Sequence, residues 1–325
     1  MQQVVVERFG GPEVLIPREA PDPVAGPGEV VVAVRAADVL WVETVIRRGE
    51  GRPDWPMTPP YVPGNAVVGH VLSVGDGVDP SWVGRAVATE TGGSGGYAER
   101  VTVPAAGLTP IPDGLDLTDA AALLHDAVTA LALMEITRIS RDDTVLVVGA
   151  SGGLGILSVQ LAKSEGARVV AVARDERKLA LIRTLGSDAV IDSDAPDWVE
   201  KARTALGGTG ATVVLDNIGG AVGEAAFALV APGGRFSAHG TPSGRFAQVD
   251  PADAERRGVT VTGIGEVQLS PDDRHRLTAQ ALADAAAGRI SPLVGQTYPL
   301  AKAADAHAAI EARNVFGKTL LLTEA

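Results

Sequence analysis

Three glycines spaced G-x-x-G-x-x-G, Gly149, Gly152 and Gly155, with Gly153 as an extra, are the residues whose spacing most directly implies chemistry. They follow the apolar run 144–149 and lead into a helical pattern over 156–165. A second apolar run, 167–173, comes next. Strand, glycine turn, helix, strand is the first half of a dinucleotide-binding unit, in which a diphosphate rests on the backbone N–H groups of a helix N-terminus. The spacing departs from the strict fingerprint. In a chain with 39 glycines such a cluster also suits an ordinary α/β turn. The two flanking strands favour the nucleotide.

The end of the second strand bears on which nucleotide. A carboxylate there bonds the ribose hydroxyls of NAD, whereas a cation accepts the 2′-phosphate of NADP. The strand ends on Ala173, which brings no repelling charge, and Arg174, Arg177 and Lys178 follow. Asp175 argues the other way, but it lies past the strand and is placed to cap the helix that Glu176 begins. NADPH is the favoured reading and NADH the alternative.

Further candidates lie where a parallel sheet gathers its ligands. The strand 212–216 delivers Asn217 to its C-terminal end, and a later strand ends at His239 and Gly240. His125 and Thr129 are four apart on an expected helix and would share a face. In the first third of the chain, Trp55 and Tyr61 stand in a Pro- and Gly-rich loop; they suit either a flat apolar substrate or the cover of a small β core. Of the five histidines, none has metal-ligand spacing, and His275 and His307 are expected on solvated helix surfaces. With no cysteine in the chain, thiolate nucleophiles and cysteine-ligated zinc are excluded and no metal is expected. Ser151 is not in a G-x-S-x-G elbow, which argues against a hydrolase. Hydride transfer to an electron-poor acceptor needs neither nucleophile nor metal, only positioning and donors beside the developing charge.

The elements that must position these residues read as two domains, as 325 residues suggest. Residues 1–122 form an irregular β-rich domain, completed by about 264–325, and 123–263 alternate strands and helices as a parallel sheet requires. An alanine- and leucine-rich helix over 119–134, capped by Thr118, joins them. Val259 to Ile264 is a β-branched edge strand whose pairing with a second copy would give a homodimer. The formal net charge is −12, with no clustered basic surface, so nucleic acid is not an expected partner. No leader-like N-terminus or membrane-length apolar run is evident, and a cytoplasmic enzyme is the simplest expectation.

Taken in order along the chain, these features resemble the zinc-independent medium-chain dehydrogenases/reductases of the quinone oxidoreductase, zeta-crystallin-like type. The resemblance rests on Phe9-Gly-Gly-Pro-Glu-Val-Leu15, Pro63-Gly64 with Gly69 and Val74-Gly75, and Asp126-Ala-Val-Thr-Ala-Leu131. It continues through Val145 to Gly155, Leu185-Gly186 with Asp188, Asp216 with Gly219-Gly220, and Gly317-Lys318. It implies an α/β protein with a GroES-like catalytic domain and a Rossmann domain, NADPH in the cleft, and commonly a homodimer. By position, Ser151, Gly152, Gly153, Leu154 and Gly155 would hold the pyrophosphate, and Arg174 and Lys178 the 2′-phosphate. Asn217, Gly240 and Thr129 would line the nicotinamide side, and Tyr61 and Trp41 the substrate side, with Thr129 in the catalytic set. The chain departs from the zinc-dependent relatives in carrying Val39-Leu40 and Asn65-Ala66 where they place metal ligands. The implied activity is reduction of a quinone or enone. A dedicated enoyl reductase of a biosynthetic pathway such as a polyketide route, or an NADPH-binding protein without turnover, are the alternatives.

Overall fold

A computed structural model describes residues 1–51 and 56–324. In chain order the elements begin with β1 (Gln2–Val6), β2 (Leu15–Glu19), β3 (Glu29–Val39) and α1 (Trp41–Arg47). β4 (Ala66–Val74), β5 (Ala86–Glu90), β6 (Arg100–Pro104), β7 (Thr109–Pro110) and α2 (Leu117–Leu123) follow. Then come α3 (Asp126–Thr137), β8 (Thr144–Val148), α4 (Gly153–Ser164), β9 (Arg168–Ala173), α5 (Glu176–Thr184) and β10 (Ala189–Asp192). Next are α6 (Trp198–Ala205), β11 (Ala211–Asp216), α7 (Gly220–Phe227), β12 (Val230–Ala238), α8 (Pro251–Arg257) and β13 (Thr260–Gly263). The chain closes with α9 (Pro271–Ala286), β14 (Val294–Pro299), α10 (Ala303–Glu311) and β15 (Lys318–Leu322). Two compact units emerge, one of residues 1–125 and 278–325, the other of residues 126–277.

In the first unit a sheet runs β14-β15-β3-β4-β5-β7, with β6 also paired to β3. Its axis is β3, whose Val30, Val31, Val32 and Val34 are almost fully buried, as β-branched residues in a central strand should be. The last strand, β15, pairs antiparallel with β3, setting Leu320 opposite Asp38. The core joins Val30, Val32 and Val34 to Val4, Val6, Val67, Tyr97, Leu300 and Ile310.

The second unit is built on a parallel sheet in the order β10-β9-β8-β11-β12-β13. Alternate residues of each strand feed opposite faces. Val145, Val147, Val169, Ala171, Val213 and Leu215 lie in one apolar cluster, and Leu146, Val148, Val170, Val172 and Val214 in another. Each such buried Val or Leu contributes about 1.5–3 kcal/mol. The α/β architecture read from the sequence is the one observed. The strand order reverses between β8 and β11, and at such a point in an open parallel sheet ligands gather at the carboxyl ends.

Four expectations are corrected. The helix over 119–134 is two helices, because the chain turns at Leu124-His125. Its cap is Asp116, not Thr118: the Asp116 carboxylate accepts from the N–H of Thr118 at 2.7 Å. His125 therefore sits in the break and does not share a helix face with Thr129, which lies half-buried on α3. His307 is not solvated but fully buried on α10. Trp55 lies outside the described residues. Among those described, no single helix is long and apolar enough to cross a membrane.

Candidate active site

The glycine loop follows β8 at the switch point. Gly149 and Ala150 both donate to the carbonyl of Val172, at 3.0 Å each, which ties the turn to the neighbouring strand β9. Gly152, itself exposed, is the residue before α4, and no side chain caps the N–H groups at the start of that helix. Gly155 packs against the loop: a Cβ there would stand 2.3 Å from the Gly149 carbonyl oxygen and 2.7 Å from Ala150 Cα. At Gly152 a Cβ would meet only the same oxygen, at 3.8 Å. The fold itself thus demands glycine at 155 and leaves space at 152, the arrangement a diphosphate on a helix N-terminus requires. Ser151 and Leu154 are half-buried in the same loop and first turn.

Beside it, β9 ends on the buried Ala173, and Arg174 follows, half-buried, with no hydrogen bond or ion pair to another described residue. Asp175 is the cap of α5, as its position suggests: its carboxylate accepts from the N–H of Lys178 at 3.1 Å. The Lys178 ammonium stands 3.2 Å from the same carboxylate. The pairing holds the Asp175 carboxyl below its ordinary range although burial works the other way. Asp175 is thus turned towards its own helix, and the two predicted cations differ. Arg174 is uncommitted, whereas Lys178 is shared with Asp175.

The ends of β11 and β12 are locked together. Asn217 donates from Nδ2 to the Val148 carbonyl at 2.8 Å, which leaves Oδ1 facing His239 Nε2 at 2.8 Å. His239 Nδ1 in turn stands 2.9 Å from the Ser237 hydroxyl. Burial pushes His239 down to about 4, so the ring is neutral. Because Oδ1 can only accept, Nε2 carries the proton and donates, and the Ser237 hydroxyl donates to Nδ1. His239 spends both nitrogens on the fold and orients Asn217. Gly240 donates to the Asp216 carbonyl at 2.9 Å, and a Cβ on it would lie 2.0 Å from the Asn217 carbonyl carbon. The sequence brought Asn217 and Gly240 to one sheet edge, and they are in contact there.

In the first unit Trp41 opens α1 and Tyr61 lies in the segment before β4; both are half-buried and pack against the β core. Burial pushes the Tyr61 hydroxyl up to about 12, so it stays protonated. Between them lies a residue the sequence reading passed over. Glu43 is 4% exposed, and its carboxyl accepts from the N–H of Leu40 at 2.9 Å and of Gly64 at 3.0 Å. The Tyr97 hydroxyl lies 2.8 Å from it and 3.0 Å from His307 Nε2. Burial raises Glu43 to about 7, and burial with the Arg47 guanidinium lowers His307 to about 3. The one local signal was a glutamate three residues into a helix, where it can bond back to the preceding N–H.

The chain has no cysteine, and among the described residues no group of three or more His, Asp or Glu side chains could hold a metal ion. The donor set does not fit a zinc centre.

Comparison with known proteins agrees with this layout. Residues 153–283 match the family model described as zinc-binding dehydrogenase, and residues 26–113 that described as alcohol dehydrogenase GroES-like domain. A quinone oxidoreductase of Rattus norvegicus is 31% identical over 99% of this chain and 98% of its own length. A 2-haloacrylate reductase of a Burkholderia species is also 31% identical, over 99% of this chain and 98% of its own. A mycobacterial protein solved in complex with NADPH superposes with a TM-score of 0.89 at 31% identity, covering 99% of this chain and all of that one (100%).

Proposed function

Because the chain belongs to the zinc-independent, quinone-oxidoreductase branch of the medium-chain dehydrogenases/reductases, we propose that it uses NADPH to reduce a quinone or an enone-type activated double bond. It is an oxidoreductase of the NADPH-dependent kind. One observation carries the assignment of the nucleotide site. An uncapped helix N-terminus after β8 and an uncommitted Arg174 after β9 stand at the same edge of two paired strands. The first suits a diphosphate and the second a 2′-phosphate.

NADPH supplies a hydride from C4 of its nicotinamide. The chain's part is to hold the reacting groups and exclude water. The loop 151–155 binds the pyrophosphate, and Arg174, with Lys178 beside it, meets the 2′-phosphate. Asn217, held by His239, together with Gly240 and Thr129 lines the nicotinamide side. Tyr61 and Trp41 offer half-buried aromatic surface to a flat, apolar acceptor. An electron-poor acceptor takes the hydride at carbon, its oxygen gains negative charge, and a proton from water completes the reduction. No metal is required in that step.

Mixing the protein with NADPH and either 1,4-benzoquinone or a simple enone tests this. Consumption of NADPH with a saturated ketone as product extends the activity to carbon–carbon double bonds, as a dedicated enoyl reductase requires. Consumption with the quinone alone restricts it to quinones. Binding of NADPH without consumption by any acceptor would contradict the enzymatic reading.

The quaternary structure is part of the same proposal. β13 is the edge of the parallel sheet, and Val261 on it is 38% exposed. An open edge pairs with a second copy about a two-fold axis. Val261→Asp is expected to convert a dimer into a monomer by light scattering, and a wild-type monomer would refute the pairing.

A further inference from the structure

Glu43 is a buried acid that hydride transfer does not use. It sits at the junction of two segments, the start of α1 and the turn before β4. Through Oε2 it holds the N–H of Leu40, the residue before Trp41. Through Oε1 it holds the N–H of Gly64, three residues after Tyr61. The turn is fastened from its other side by hydrogen bonds from Tyr97 N–H to the Pro63 carbonyl, at 2.8 Å, and from the Thr91 hydroxyl to the Gly64 carbonyl, at 2.7 Å. The Tyr61 backbone pairs with Val6, giving and taking one bond. Glu43 is the one side chain among these that reaches both segments.

We propose that Glu43 is a positioning residue for the acceptor: its carboxylate clamps the N-terminus of α1 to the Tyr61–Gly64 turn and so fixes Trp41 and Tyr61 as a pair. The proposal rests on the assignment of those two aromatics to the substrate side.

The clamp needs both oxygens as acceptors. Three donors converge on it, the N–H groups of Leu40 and Gly64 and the Tyr97 hydroxyl. On protonation the carboxyl donates from Oε2 to the Tyr97 hydroxyl, which turns to His307 Nε2. The N–H groups of Leu40 and Gly64 then face a neutral acid in place of a carboxylate, a weaker acceptor, so the clamp loosens on acidification. The charged and titratable groups around it are Asp38 on β3, Arg47 on α1, Tyr61, Tyr97, His307 on α10 and Lys318 on β15. His307 and the two tyrosines are neutral near pH 7, and Asp38 pairs with Lys318 at 2.7 Å. Burial raises Glu43 to about 7, so its own ionisation falls in the working range.

The test is steady-state kinetics across pH with NADPH and 1,4-benzoquinone, which has no titrating group, for wild type, Glu43→Gln and Tyr97→Phe. For wild type, KM for the quinone should rise as pH falls through about 7, while NADPH affinity stays flat. Glu43→Gln must face one N–H with its own NH2 group; its quinone KM should be about tenfold higher, with kcat less affected and the pH limb gone. In Tyr97→Phe the hydroxyl that holds the carboxyl down is absent, so the limb should move to higher pH. A Glu43→Gln enzyme with unchanged KM and the limb intact overturns the proposal. Where that variant does not fold, an unmoved limb in Tyr97→Phe overturns it. Wild-type protein that consumes no NADPH would overturn the activity and this proposal with it, whereas failure confined to the variants overturns this proposal alone.

Discussion

Asn217 and His239 fix one another: the amide oxygen of the first accepts from Nε2 of the second at 2.8 Å, at the sheet edge where β11 and β12 end. The His239 ring is neutral, with its ordinary acid–base range pushed down to about 4 by burial. His239→Phe leaves the buried Asn217 oxygen without a donor, at a cost of about 1–3 kcal/mol. The expected result is a loss of about tenfold in kcat/KM, as Asn217 loses its orientation. In wild type, a pH–rate profile should show no titration belonging to His239 between about pH 5.5 and 8.

Gly152 and Gly155 separate binding from folding. Gly155→Ala drives a methyl into the Gly149 carbonyl, 2.3 Å away, and should lower stability by about 1–3 kcal/mol. Gly152→Ala meets nothing closer than 3.8 Å and should leave the melting temperature in place. Its methyl would occupy the approach of a diphosphate, so NADPH affinity should fall about tenfold. Thermal melts and nucleotide fluorescence titrations on the two variants check both halves.

Arg174 should discriminate between the two nicotinamide nucleotides. Hydrogen bonds to charged groups are worth about 1.5–3 kcal/mol, so Arg174→Ala should weaken NADPH by roughly ten- to a hundredfold and leave NADH within about twofold. Equal losses for both nucleotides would assign Arg174 to something other than the 2′-phosphate. Lys178→Ala should have the smaller effect, since that ammonium is already paired with Asp175.

Stability should fall on acidification, and fall more steeply without Glu43. His239 and His307, with native values of about 4 and about 3 against 6.5 when unfolded, take up protons more readily in the unfolded chain. Their contribution is present above about pH 6.5 and is lost as pH falls towards the native values. Glu43 works in the other direction: its native value of about 7 lies above 4.5, so the native state takes up the proton between those limits and gains stability on acidification. Glu43→Gln removes the opposing uptake, and its melting temperature should drop roughly twice as fast as wild type between about pH 6.5 and 5.

What the sequence made legible was local. The run 144–173 carries strand, turn, helix and strand in consecutive residues, and the close contacts of Gly152 and Gly155 lie within that run. Asp175 as a cap was readable for the same reason, since a cap involves residues three apart. The buried network around Glu43 was not: its partners Gly64 and Tyr97 are 21 and 54 residues away, and Tyr97 meets His307 across 210. Periodicity places a charged or polar residue on a helix but cannot tell that a β sheet will close over it, and His307 was misplaced on a solvated face for that reason. The turn at Leu124-His125 was hidden by a run of alanine and leucine that suits one long helix. Only the aspartates at 116 and 126, each at a helix start, marked the break.

The central claim is that this chain passes a hydride directly from NADPH to an electron-poor carbon. Running the reaction with an enone and NADPH carrying deuterium at the transferred C4 position tests it most directly. Direct transfer puts deuterium at the β-carbon of the saturated ketone, on one face, with solvent hydrogen entering only at the neighbouring α-carbon. Product whose β-carbon hydrogen comes from solvent, or NADPH that binds and is never consumed by enone or quinone, would contradict it.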